Sequence, residues 1–282
     1  MEIKDRVVVI TGGGSGIGEA LARTAATLGA RRVVVADLNG GEAARVADEI
    51  GGTAVEIDVR SEAAVQAMVD RTEAEFGPIG LLASNAGYVT VGGVEDTNER
   101  IQQMWEVHVM AHIYAARAVL PQMIANGGGY LLNTASAAGL LTQIGSMAYS
   151  VTKGAAVSLA EWLSVTHHHQ GIRVSVLCPQ AVQTNIVANS PDLGGGIAGP
   201  DDDFDGGVAG GDGVLGPDYV AQCCVEAIHE ERFWVLPHEE VAEYARRKAD
   251  DVDRWLAGMR RFQQILAGDG PLPGDAMAPK MP

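Results

Sequence analysis

Val7-Val8-Val9-Ile10-Thr11-Gly12-Gly13-Gly14-Ser15-Gly16-Ile17-Gly18 is the stretch that decides how the rest of the chain reads. The β-branched run 7–10 predicts a strand and the glycines a tight turn. A helix follows over 18–28, ended by Gly29. Glycine tolerates positive φ and lets backbone amides come close to an anion. A helix starting at such a turn adds free N–H groups and a partial positive charge. Gly alone marks any tight turn. Set between a strand and a helix, it becomes a grip for a pyrophosphate.

Asp37 supports that reading. It stands 19 residues after Gly18, just past a second apolar run at 33–36. A spacing of about 20 suits a carboxylate that accepts from the adenosine ribose hydroxyls and repels a 2′-phosphate. Neither Ser15 nor Leu38 offers positive charge, and Arg31 and Arg32 lie at the other end of the strand. NAD is therefore expected over NADP.

Further strands read at 54–57, 80–83, 130–133, 173–177 and 232–236, with helices over 43–50, 62–76, 97–124 and 147–167. Short continuous apolar strands alternating with helices predict βαβ units and strands covered on both faces. The expected fold is α/β: a single doubly wound Rossmann-type domain with a central, mostly parallel seven-stranded sheet and a C-terminal helical extension. The domain spans 1–237, with a Gly/Pro/Asp-rich mobile substrate lid at 190–217. The extension spans 238–267 and a Gly/Pro-rich flexible tail spans 268–282.

Tyr149-Ser150-Val151-Thr152-Lys153 places a phenol and an ammonium on one helix face. A phenol of pKa about 10 is too weak a base at neutral pH, and a neighbouring ammonium lowers that value. The bland alternative is a half-buried Tyr beside a solvated Lys. Ser136, ending Asn133-Thr134-Ala135-Ser136, falls at the carboxyl edge of the sheet, where its hydroxyl can hold a substrate oxygen. A serine there is otherwise a turn residue or helix cap.

Together these residues resemble the short-chain dehydrogenase/reductase family over residues 5–236. The resemblance rests on the turn at 11–18, Asp58-Val59, Asn85-Ala86-Gly87, Ser136 and Tyr149-x-x-x-Lys153, with 13 residues from Ser136 to Tyr149. It implies an oxidoreductase moving a hydride between nicotinamide and a secondary alcohol or ketone. Tyr149 would be the acid/base and Ser136 the substrate-orienting group. Lys153 would bind the nicotinamide ribose and lower the Tyr149 pKa. Gly12, Gly14, Ser15, Gly16, Ile17, Gly18, Asp37, Leu38, Asp58, Val59, Asn85, Ala86 and Gly87 would join Tyr149 and Lys153 in holding the cofactor. Two departures stand out. His108 sits where the family often has Asn beside the catalytic Lys, either as a tolerated substitution or as a catalytic part of the proton relay. Cys178-Pro179-Gln180 replaces the usual Pro-Gly, while Pro179, Val182 and Thr184 still fit the cofactor's carboxamide end.

The bulk numbers narrow the partners. A formal net charge of -16 on 282 residues repels nucleic acid backbone and anionic membrane, so neither is expected. Three cysteines, two of them adjacent, make no disulfide framework, and residues 1–9 carry no signal-peptide pattern. A cytoplasmic setting is expected. Asp201, Asp203, Asp205, Gly206 and Asp212 imitate a calcium loop without the final Glu and read as a solvated acidic lid. His167, His168 and His169 read as a helix end, and no metal is expected. Val241, Tyr244, Val252, Trp255, Leu256, Met259, Phe262 and Leu266 form an apolar stripe, either an oligomer contact or a wall of the substrate pocket. A dimer or tetramer is expected. Leu140, Leu141, Ile144 and Met147 favour a lipophilic substrate. The alternatives are an NADP-dependent carbonyl reductase and a non-catalytic NAD-binding regulator.

Overall fold

The computed structural model describes residues 1–186, 190, 209–272 and 274–275. Seven strands form one sheet: β1 (Val7–Thr11), β2 (Arg32–Asp37), β3 (Thr53–Glu56), β4 (Ile79–Ser84), β5 (Gly129–Thr134), β6 (Ile172–Leu177) and β7 (Trp234–Val235). Their order is β3-β2-β1-β4-β5-β6-β7, and every pairing is parallel. Parallel neighbours need crossovers. The helices are α1 (Gly16–Thr27), α2 (Gly40–Ile50), α3 (Glu62–Phe76), α4 (Asn98–Trp105), α5 (Ala111–Ala125), α6 (Ala137–Leu141), α7 (Met147–His167), α8 (Pro217–Glu230), α9 (Glu240–Asp250) and α10 (Val252–Ala267).

Alternate residues of each strand enter different cores. Val7 and Val9 pack with residues of α3, α5 and α7, while Val8 and Ile10 pack with α1, α2 and α8. Both faces are covered, which is why the strands read as unbroken apolar runs. The helix starts follow capping chemistry. Asn39 accepts from Gly41 and Glu42, Ser61 from Ala64, and Thr97 from Arg100.

Several elements differ from expectation. The long helix over 97–124 is α4 and α5 joined by a π-helical turn, Glu106–Met110. The extension over 238–267 is two helices, because Asp251 is extended (φ -155, ψ 91) and its carboxylate accepts from the Arg254 amide to start α10. Helix α9 is tied into the core through Val241, packed near Ala137 and Leu141, and Trp255 of α10 packs against the same cluster. No α10 side chain is fully buried. The base of the expected lid is zipped shut: Gln183 donates to the Leu215 carbonyl (2.9 Å) and Leu215 to that of Ala181 (3.1 Å). The rest of that lid, with Asp201, Asp203, Asp205 and Gly206, lies outside the described residues, as does most of the tail from 273. No helix among the described residues is long and apolar enough to cross a membrane.

Candidate active site

The strands either side of β1 and β4 wind away in opposite directions, so a crevice opens at the carboxyl ends of these two. A cavity of about 1050 Å³ lies there. That is at the top of the ~300–1,000 Å³ typical of small-ligand sites, roomy enough for two ligands end to end. It is lined by Gly12, Gly14, Ser15, Gly16, Ile17, Asp37, Leu38, Asp58, Val59, Asn85, Ala86, Gly87, Ser136, Tyr149, Lys153, Pro179, Val182 and Thr184. Of the expected cofactor and catalytic residues, Gly18 and His108 are outside this lining, as are Leu140, Leu141, Ile144 and Met147, which the sequence offered for a lipophilic substrate.

The glycine turn is shaped by close approach. Gly12 has φ +64, and a Cβ there would sit 2.8 Å from Ala86 Cα. A Cβ on Gly18 would lie 2.0 Å from the Gly12 carbonyl oxygen, so Gly18 lets α1 tuck under the turn. Thr11 Oγ1 accepts from the amides of Asn85 (3.0 Å) and Ala86 (3.3 Å), tying the turn to the end of β4. Asn85 Oδ1 in turn accepts from Thr134 Oγ1 (3.0 Å). The Ser15 side chain makes no capping bond, leaving the first amides of α1 without that partner. A pyrophosphate fits this cradle, with Gly14 to Ile17 along its wall.

Asp37 closes one end. Its carboxylate accepts from the Gly14 amide (2.9 Å) and the Asn39 amide (2.9 Å). Glu42, Glu56 and Asp58 line the same region. Its cation, Arg60, is bound to Asp58 (Nη2 to Oδ2, 2.6 Å), and this pairing holds the Asp58 carboxyl below its usual range. Arg45 approaches the turn, donating to the Gly14 carbonyl (3.1 Å), but bonds to Glu19, Glu42 and Glu49 as well. Sequence reasoning missed both arginines. Arg60 was legible beside Asp58-Val59, whereas only the packing of α2 on α1 brings Arg45 near.

The other end gathers Ser136, Tyr149 and Lys153. Ser136 caps α6, its Oγ accepting from the Ala138 amide (3.1 Å) and donating to the Pro179 carbonyl (3.4 Å). Tyr149 and Lys153 share a face of α7. Lys153 Nζ donates to the Thr134 carbonyl (3.0 Å) and lies 5.7 Å from the centre of the Tyr149 ring. Burial pushes the Tyr149 phenol above its ordinary value, with a hydrogen bond to Ser136 pulling the other way. Burial also brings the Lys153 ammonium down to about 8. The expected lowering of the Tyr149 pKa is not seen: burial raises it, against the pull of Ser136. Both groups are buried in the cavity wall, the phenol neutral.

For His108, the geometry favours the tolerated substitution over the catalytic relay. It is fully buried in the π turn. Its Nε2 accepts from the Tyr88 amide (3.2 Å), so the proton is on Nδ1, which donates to Thr152 Oγ1 (3.0 Å). Burial, then the Lys153 charge, then His112 hold its pKa well below 6.5. Both ring nitrogens are thus engaged, and the ring is neutral and stands behind the cavity wall. Cys178 is inert, its thiol pushed up to about 12 by burial.

The short chain dehydrogenase family profile matches residues 6–192. The chain belongs to the short-chain dehydrogenase family. A 1-deoxy-11-beta-hydroxypentalenate dehydrogenase of Streptomyces exfoliatus is 33% identical over 91% of this chain and 92% of its own length. A meso-2,3-butanediol dehydrogenase of Serratia marcescens is 33% identical over 68% of this chain and 77% of its own length. A short-chain dehydrogenase/reductase from Burkholderia phymatum, crystallised with NAD, superposes with a TM-score of 0.79 at 33% identity, covering 90% of this chain and 96% of that one. As a short-chain dehydrogenase, the protein is a nicotinamide-dependent oxidoreductase acting on CH–OH groups.

Proposed function

We propose that the protein oxidises a lipophilic secondary alcohol, or reduces the matching ketone, with NAD as its cofactor and Tyr149, Ser136 and Lys153 as its working residues. One observation carries the reading. A single cavity has these three side chains in one wall and the glycine turn with Asp37 in the other. The cofactor supplies a hydride acceptor or donor at nicotinamide C4. Gly14 to Ile17 would hold its pyrophosphate and Asp37 its adenosine ribose. Lys153, already bonded to Thr134, would offer its remaining N–H groups to the nicotinamide ribose. Pro179, Val182 and Thr184 would meet the carboxamide end.

Ser136 Oγ orients the substrate oxygen and Tyr149 exchanges the proton on it. In ketone reduction Tyr149 Oη donates its proton, which suits a phenol kept neutral by burial. In alcohol oxidation the phenol must first lose that proton, so oxidation should quicken as pH rises and reduction as it falls. His108 serves as a positioning residue, joining Tyr88 after β4 to Thr152 on α7.

The acidic lining of Asp37, Glu42, Glu56 and Asp58 supports NAD over NADP, since a 2′-phosphate there would face carboxylates. Asp37→Ser should narrow the preference by about ten-fold in relative Kd, read by titrating both reduced cofactors. A cytoplasmic setting fits three free thiols. The test of function follows NAD reduction by absorbance across lipophilic secondary alcohols from cyclohexanol to hydroxysteroids. Tyr149→Phe should lower turnover by about 10²–10⁴-fold while still binding NADH. Turnover that survives in that variant would remove Tyr149 from the chemistry. NADH binding without turnover of any alcohol would favour a nucleotide-binding regulator.

A further inference from the structure

The cavity wall beyond Pro179 is held from an unexpected direction. Gln180 lines the cavity, and its side chain is anchored away from it: Nε2 donates to Asp212 Oδ2 at 2.7 Å. The partner decides which way the amide is turned, because the carbonyl end would repel a carboxylate. The second oxygen of Asp212 accepts from Tyr244 Oη at 3.0 Å. Tyr244 belongs to α9, which follows the last strand. Three side chains from three separate stretches thus form one chain of bonds, from α9 to the cavity.

Helix α9 is itself fixed to the element that carries Ser136. Val241 is fully buried beside Ala137 and Leu141, and Lys248 Nζ donates to the Leu140 carbonyl at 2.6 Å. The Ala137 amide, directly after Ser136, donates to the Pro179 carbonyl at 2.9 Å. The loop is therefore bonded to Ser136's neighbour at Pro179 and, one residue on, to α9 through Asp212. Substrate oxygen and substrate body would meet opposite ends of this frame.

We propose that Asp212 and Tyr244 are positioning residues for Gln180, which is a specificity-determining residue at the substrate end, so that α9 sets the shape of that end. This rests on the dehydrogenase reading above. A charge-assisted hydrogen bond holds one rotamer of a long side chain that otherwise samples many. Without it, Gln180 is free to swing into the space the substrate body needs. The chemistry at Tyr149 is untouched, so the effect belongs in KM rather than kcat.

The test uses the full chain with bound NADH and the alcohol of the panel that it oxidises fastest. Tyr244→Phe removes one hydroxyl and leaves the α9 packing in place. It should raise KM about three- to ten-fold, the worth of one such bond, with kcat within about two-fold. Asp212→Leu should do the same, because it removes both acceptor oxygens at once. Gln180→Leu should also raise KM, and adding Tyr244→Phe to it should change nothing further, since Tyr244 acts only through Gln180. Hydrogen exchange gives a readout that needs no substrate: amides of residues 180–183 in the NADH complex should exchange faster in Tyr244→Phe. Unchanged exchange there, or effects of Tyr244→Phe and Gln180→Leu that simply add, would overturn the proposal. If the wild type turns over no alcohol, the functional reading fails, and exchange alone decides whether Tyr244 holds Gln180.

Discussion

Two histidines one helical turn apart behave oppositely. His108 has both nitrogens bonded, to Tyr88 and Thr152. His112, equally buried, has no hydrogen-bond partner on either nitrogen among the described residues. Burial, reinforced by the Lys153 charge, drives its pKa down to about 3. An unpaired buried polar group costs about 1–3 kcal/mol. His112→Leu should therefore stabilise the protein, raising Tm by about 2–4 °C for each kcal/mol recovered in a domain of this size. His108→Leu should lower Tm, because it removes the ring's bonds with the Tyr88 amide and Thr152 Oγ1. Calorimetry separates the two, and a fall in Tm for His112→Leu would mean that a buried water satisfies the ring. The pH dependence has a definite sign. Both histidines have folded pKa values below the ordinary 6.5, so the unfolded chain takes up protons that the folded one refuses. Their contribution is intact above about pH 6.5 and is lost on acidification, at about 1.4 kcal/mol per pH unit for each ring, until about pH 3 for His112. The slope of Tm against pH between about 7 and 5 should be shallower in His112→Leu.

At the scale of elements, the catalytic wall depends on two helices that cross backbone to backbone. A Cβ on Gly139 of α6 would stand 2.5 Å from the Lys153 carbonyl oxygen on α7, whereas one on Gly154 would stand 3.6 Å from the Gly139 oxygen. The first is a collision between main chains and the second an ordinary contact. Gly139→Ala should push α6 off α7, moving Ser136 relative to Tyr149. We expect turnover to fall by about 10²-fold and stability by about 1–3 kcal/mol, while Gly154→Ala stays near wild type. Equal activity of the two variants would show that the crossing does not position Ser136. The contrast also marks where sequence reading stops. The strands of β1 to β6, the bounds of α3 and α7, and 18 of the singled-out residues in one cavity were legible, because periodicity, caps and the spacing of motifs are local. α6 was not, being five residues held by a contact to a helix ten residues further on. Neither was the break at Asp251, where one side-chain cap overrides a continuing apolar stripe. His108 could be located in the sequence, but its role needed the Tyr88 amide, 20 residues upstream, to fix which nitrogen holds the proton.

Across the whole molecule, two helices leave a run of apolar side chains uncovered among the described residues. On α7, Val151, Trp162 and Val165 are 54%, 58% and 82% exposed, and with Ser158 they follow helical spacing along one face. On α10, Leu256, Phe262, Ile265 and Leu266 are also exposed. The face on α7 is the stronger oligomer contact in this reading, because its helix carries Tyr149 and Lys153 and is packed into the core along its other side. A second copy would cover it at little ordering cost, whereas α10 has no fully buried side chain to hold it still. The charge of -16 opposes self-association at long range, and salt screens it over about 10 Å at 0.1 M. Light scattering should thus give at least twice the chain mass, with the larger species favoured as salt rises. Trp162→Glu combined with Val165→Glu should return the protein to monomers without lowering Tm, since both side chains face outward. Deleting residues 252–282 should leave the assembly unchanged. If the deletion dissociates it and the double charge substitution does not, α10 is the contact and the face on α7 is merely exposed. A wild type that scatters as a monomer at every salt concentration would remove the oligomer altogether.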